Sequence, residues 1–175
     1  MKLFLWLFIL FNYAENLSAQ NSDCARGAAE PIIKKSIYPK TTFKLQADSL
    51  TAVETVLFPN GDKLIIKNWG CTCYTLTFRF ETSQFKRDTT NLKFWYITAY
   101  RLMTEASKGM DAPLDIKKGL ERFNNYISGN VFELTLNKEI DFGGPEIRDI
   151  VTLERIQRIS KDRYGIVISF SRGPL

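Results

Sequence analysis

Two hydrophobic periodicities divide this chain. Over residues 41–81, and again after 131, apolar side chains recur at every second position, as in strands with one buried face. Between 92 and 129 they recur at three- and four-residue spacing, as in helices. The first stretch predicts strands over 42–46, 51–58, 63–69 and 71–81. Pro59-Asn60-Gly61-Asp62 supplies the turn between the second and third, since proline pre-sets φ and Asn and Gly tolerate positive φ. Gly70 marks a bulge or bend. In the fourth strand Thr72, Tyr74, Leu76, Phe78 and Phe80 form the core set, while Cys71, Cys73, Thr75, Thr77 and Arg79 face the other way. Trp69 belongs to that second set by parity. The second face reads as lightly covered, and an N-terminal arm of residues 20–40, broken by Pro31 and Pro39, is its expected cover.

The first helix carries Leu92, Trp95, Tyr96, Ala99, Leu102, Met103 and Ala106 on one stripe, with Thr89, Thr90 or Asn91 as its cap and Gly109 as its stop. The second carries Ile116, Leu120, Phe123 and Ile127, starts near Asp111 or Asp115, and closes at Gly129. Gly119 lies inside it at a cost of ~1 kcal/mol against alanine, which points to close packing on a neighbour. The last third returns to strands. Residues 131–138 place Phe132, Leu134 and Leu136 on one face, and Gly143-Gly144-Pro145 turns the chain. Residues 147–160 fit helix or strand; the β-branched start favours a strand from about Ile150. After a turn at Lys161-Asp162-Arg163, residues 165–171 direct Ile166, Ile168 and Phe170 to one side. The sum is an α+β fold. It is one domain over 41–175, with a largely antiparallel sheet of about six or seven strands and two central helices on one face, in the order β4-α2-β3.

The first nineteen residues are of a different kind. Lys2 precedes an unbroken apolar run over 3–11, and Leu17-Ser18-Ala19 before Gln20 has the small residues of a signal-peptidase site. That run is well short of the ~20 residues a helix needs to span a bilayer, so residues 1–19 read as a removed export signal. A lipoprotein signal needs a cysteine directly after the cleavage site, and Cys24 is too far along. Removing 19 of 175 residues leaves 156, the size of one domain. No later stretch is long and apolar enough to cross a membrane as a helix, so the expected location is periplasmic or extracellular.

The chain has no histidine. This removes Ser–His and Cys–His nucleophile pairs, imidazole metal sites and any imidazole switch near neutral pH. Its three cysteines are Cys24, Cys71 and Cys73. A bond within Cys71-Thr72-Cys73 would be strained, so in an oxidising compartment Cys24 is expected to pair with Cys71 or Cys73, leaving one thiol free. Closing that loop contributes at most ~4 kcal/mol in the chain-entropy account. A Cys-x-Cys metal or redox role lacks further soft ligands.

The remaining candidate sites are weak. Ser83-Gln84-Phe85-Lys86 matches Ser-x-x-Lys, but no Ser-Asp-Asn or Lys-Thr-Gly follows. The carboxylate pairs Asp111/Asp115, Glu133/Glu139 and Asp149/Glu154 lack a context that would raise a pKa. Arg155, Arg158, Lys161 and Arg163 form a basic stretch better suited to guarding a sheet edge. Partner contact is expected at Trp69, Arg79 and Arg155. The net charge of +5 favours anionic partners. The leading expectation is a small exported binding or inhibitor/immunity-type module, not an enzyme. It would meet a protein or an anionic envelope component, with no cofactor, metal or nucleic acid. A structural or assembly-accessory protein of the cell envelope is the alternative, and a histidine-free glycan hydrolase working through carboxylates is the second.

Overall fold

Alternation folds the first four elements into one antiparallel meander. The computed structural model describes residues 26–85, 90–130 and 133–174. In it β1 (Thr41–Leu45), β2 (Ala52–Leu57), β3 (Lys63–Trp69) and β4 (Tyr74–Thr82) pair in succession. There follow α1 (Leu92–Ser107), α2 (Ile116–Gly129), β5 (Ile140–Asp141), β6 (Ile147–Ser160) and β7 (Arg163–Pro174). β7 returns to pair with β4, giving a seven-stranded sheet of order β1-β2-β3-β4-β7-β6-β5. Every pairing is antiparallel, and the fold is α+β.

Both helices start on side-chain caps. Asn91 accepts the Phe94 N–H at 3.0 Å, and Asp115 accepts that of Lys118 at 2.9 Å, each cap contributing about 1 kcal/mol. Their apolar stripes bury Trp95, Tyr96, Met103, Leu120 and Phe123 against Leu64, Ile66, Leu76, Phe78, Ile168 and Phe170 of the sheet. Phe170 lies at the centre, edge-on to Phe78 at 5.8 Å and to Phe142 at 6.1 Å. Gly119 lets α2 come this close, because a Cβ there would lie 2.6 Å from Cε1 of Phe170. The helical penalty of that glycine is offset by close packing on the sheet.

Three strand expectations are corrected. Residues 71–73 are not the start of a strand: Gly70 adopts φ +101°, the chain bends, and β4 begins at Tyr74. Residues 133–139 form no strand, while Val131 and Phe132 lie outside the described residues. Their backbone groups are taken up singly: the Thr135 carbonyl accepts from the Tyr96 hydroxyl at 2.6 Å, and the Asn137 N–H donates to the Leu153 carbonyl at 2.9 Å. The two-residue β5 supplies the strand at that edge instead. β6 begins at Ile147 rather than near Ile150, because β7 extends far enough to pair with it through Pro174.

The N-terminal arm is the largest correction. Its described part, residues 26–40, lies on the helix side of the sheet and leaves the Trp69 face uncovered. Asp111 N–H donates to the Ile32 carbonyl at 2.7 Å and Lys34 N–H to the Gly109 carbonyl at 2.8 Å, tying the arm to the α1–α2 connection. Ile32 and Ile33 are buried in the core. Residues 20–25, including Cys24, lie outside the described residues.

Candidate functional site

Two polar residues on core-facing positions explain where the arm goes. Glu54 alternates with Ala52 and Val56 in β2, and Asn68 with Leu64 and Ile66 in β3; all six are buried. A buried polar side chain needs partners, and the arm supplies them. Glu54 accepts the N–H groups of Ile32 at 2.8 Å and Ile33 at 3.4 Å. Asn68 accepts from Arg26 Nη2 and donates to the Glu30 carbonyl at 3.4 Å. Arg26 also donates to the Gly70 carbonyl at 2.8 Å and stacks 4.4 Å from the centre of the Tyr74 ring.

A cleft of about 420 Å³ opens here, lined among others by Arg26, Glu30, Asn68, Tyr74 and Asp111. Burial pushes the Tyr74 phenol up to about 12 and lowers the Arg26 guanidinium, partly countered by Tyr74 and Asp48. Arg26 donates to Gly70 and Asn68 of the sheet, so the cleft is a seam where the arm is held.

Burial likewise raises the Glu54 carboxyl above 4.5, opposed by the N–H groups of Ile32 and Ile33 and by Lys35. The native state therefore holds this proton more tightly than the unfolded chain. Stability from that difference is fully present below 4.5 and is lost as pH rises through the raised folded value. E54Q should remove the slope. Urea-unfolding free energies across that window should show wild type losing ground to E54Q as pH rises; a gap that is constant, or that moves in wild type's favour, contradicts the assignment.

The opposite face of the sheet is the candidate site. Its register places side chains in rows across the strands. One row runs Lys44, Val53, Lys67, Thr77, Ser169, Thr152. The next runs Thr42, Thr55, Ile65, Arg79, Val167, Arg155. A third carries Trp69, Thr75, Ser171 and Ile150. All three sequence-predicted contact residues thus fall on these rows, and Arg79 and Arg155 flank the same Val167.

Trp69 is 40% exposed. Its Nε1 donates to Thr77 Oγ1 at 3.2 Å, and Lys67 Nζ lies 4.9 Å from the ring centre. The indole is therefore held in place on the sheet while remaining accessible. Arg79, two rows along the same face, is paired with Glu81 at 3.1 Å, and Lys63 takes the other Glu81 oxygen at 3.0 Å. Arg155 is exposed at a β-bulge of β6, where the register shifts between Leu153 and Arg155. That bulge also suits edge protection, since β5 covers only Ile150 and Val151 of β6.

The other sequence candidates are scattered. Asp115 caps α2, Glu139 pairs with Arg148 at 3.2 Å, and Asp149 takes a two-point contact from Arg172 at 2.7 and 2.8 Å. Residues 83–85 form a bend, and the Ser83 N–H donates to Asp62 Oδ1 at 3.1 Å; Lys86 lies outside the described residues. Cys71 is disulfide-bonded, and Cys73 carries an exposed free thiol. Among the described residues no group of three His, Cys, Asp or Glu is placed to hold a metal ion, and no helix is long and apolar enough to cross a membrane. Comparison with protein-family models, with curated proteins and with solved structures returns no match.

Proposed function

We propose that this protein is a small exported binding module that acts without catalysis through the open face of its sheet, meeting a protein or an anionic envelope component. The observation that carries the reading is the division of the sheet. Helices and arm crowd one face, while the other presents a fixed, accessible indole among cations and hydroxyls. Exposed tryptophan and arginine are the side chains most often responsible for binding energy.

Export rests on residues 1–19, which lie outside the described residues. A bonded Cys71 fits an oxidising compartment. With Cys73 free, Cys24 is the remaining cysteine able to bridge it. A non-reducing peptide map of the secreted product should recover Cys24 joined to Cys71; a full set of free thiols contradicts both the bridge and the compartment.

The function itself is tested with the secreted product immobilised as bait against an envelope extract, beside a W69A/R79A/R155A variant. A component retained by the wild type and lost with the variant supports the open face. Equal retention by both removes that face from the function.

A further inference from the structure

The open face has a sign as well as a shape. We infer that its occupant is an anionic polysaccharide lying across the strands; this rests on the open-face reading above and names its ligand class. Lys44, Lys63, Lys67, Arg79 and Arg155 all belong to this face by register. Against them stand Glu81, already shared between Lys63 and Arg79, and Glu154 at the β6 bulge. Of the other carboxylates of the β-strands, Glu54 and Asp149 are buried on the helix side, while Asp141, opposite Ile150 at the β5 edge of the open face, is taken up by Arg148 at 3.2 Å. A surface so uneven in charge attracts polyanions.

Three further features favour a sugar chain over a protein or a lipid surface. The Trp69 ring offers an apolar platform of the kind a pyranose face stacks on, with its orientation fixed by Thr77. Hydroxyls of Thr75, Thr77, Thr152 and Ser171 lie on the same face, in the rows that carry or adjoin the cations. Those hydroxyls donate and accept, as a sugar's own hydroxyls do. Strands lie about 4.8 Å apart, close to the repeat of one pyranose unit in an extended glycan. A six-strand row therefore spans about 24 Å and would hold several sugar units, each meeting a fresh strand.

The test uses defined polymers. Binding of the secreted product to polygalacturonate and to dextran sulfate is titrated at low and high salt, with neutral dextran as control. Vesicles of phosphatidylglycerol and phosphatidylcholine present the same negative charge on a lipid. Binding to at least one polyanionic glycan is expected, weakened by salt, with none to dextran and weaker binding to vesicles. W69A should weaken it by at least about tenfold, while W69F, which keeps a ring, retains more. K67Q/R79Q/R155Q should abolish it. K93Q/R101Q/K117Q/K118Q, which removes exposed helix cations, should leave it unchanged.

The inference is overturned if neither glycan binds, if the helix variant weakens binding as much as the face variant, or if vesicles bind as tightly. Should the glycans fail while the bait still retains a component through Trp69, Arg79 and Arg155, the open face stands and the sugar identification falls.

Discussion

Phe170→Ala should lower the unfolding free energy by about 3–5 kcal/mol, a large share of the 5–15 kcal/mol typical of a folded protein. Phe170 has no exposed surface and joins three layers of contact: Phe78 across the sheet, Phe142 after β5, and the backbone of α2 at Gly119. Truncation leaves a cavity that the helix cannot collapse into, because α2 already sits as near the sheet as Gly119 allows. The urea midpoint should fall with little change in the slope of the transition. A loss below about 1 kcal/mol would mean that the helix–sheet seam repacks freely.

Asp62→Ala should cost about 3 kcal/mol through a different route, the loss of a buried acceptor serving several donors at once. Asp62 is 4% exposed and sits in the turn between β2 and β3. Its carboxylate accepts from Thr82 Oγ1 at 2.8 Å, Gln84 Nε2 at 2.6 Å, Asn60 Nδ2 at 3.0 Å and the Ser83 N–H at 3.1 Å. The turn is thereby joined to the exit of β4. Removing the carboxylate strands those donors in partly buried positions. Urea unfolding reads the total, and amide exchange at Ser83 and Gln84 should rise first. Slow exchange there, with stability unchanged, would show that the surrounding chain holds the loop without Asp62.

Much of this architecture is legible in the sequence because periodicity and burial agree. Residues 63–69 alternate cleanly and form β3 with those bounds, and the stripe from Leu92 to Ala106 lies inside α1. Asn91 and Asp115 are caps by residue type and by geometry. The failures have two causes, a non-local partner in one case and a local turn in the other. Leu134 is buried as an alternating strand residue would be, yet the backbone around it is tied to Tyr96 and Leu153 rather than to a ladder. Cys71-Thr72-Cys73 has strand-like composition, but Gly70 turns the chain before it.

The position of the arm had a readable signal. Glu54 and Asn68 occupy core-facing parity in their strands, and polar groups there require partners from a segment laid over them. Parity also contained the charge of the open face, since Lys44, Lys63, Lys67 and Arg79 share it across separate strands. That sum becomes visible only when the register aligns β1, β3 and β4. Arg155 escapes even this reading, because a bulge shifts its pairing by a residue.

Quenching of tryptophan emission tests the two-faced sheet most directly. A form lacking residues 1–19, the proposed export signal, keeps Trp69, 40% exposed, and Trp95, which is fully buried. Iodide should quench a large part of the emission of that form and caesium far less, because Lys67 sits over the accessible ring and the other cations share its face. In W69F the remaining emission should be blue-shifted and resist both ions. If neither ion quenches the wild type, something covers that face; if caesium quenches as well as iodide, the face lacks the positive field on which the proposed binding role depends.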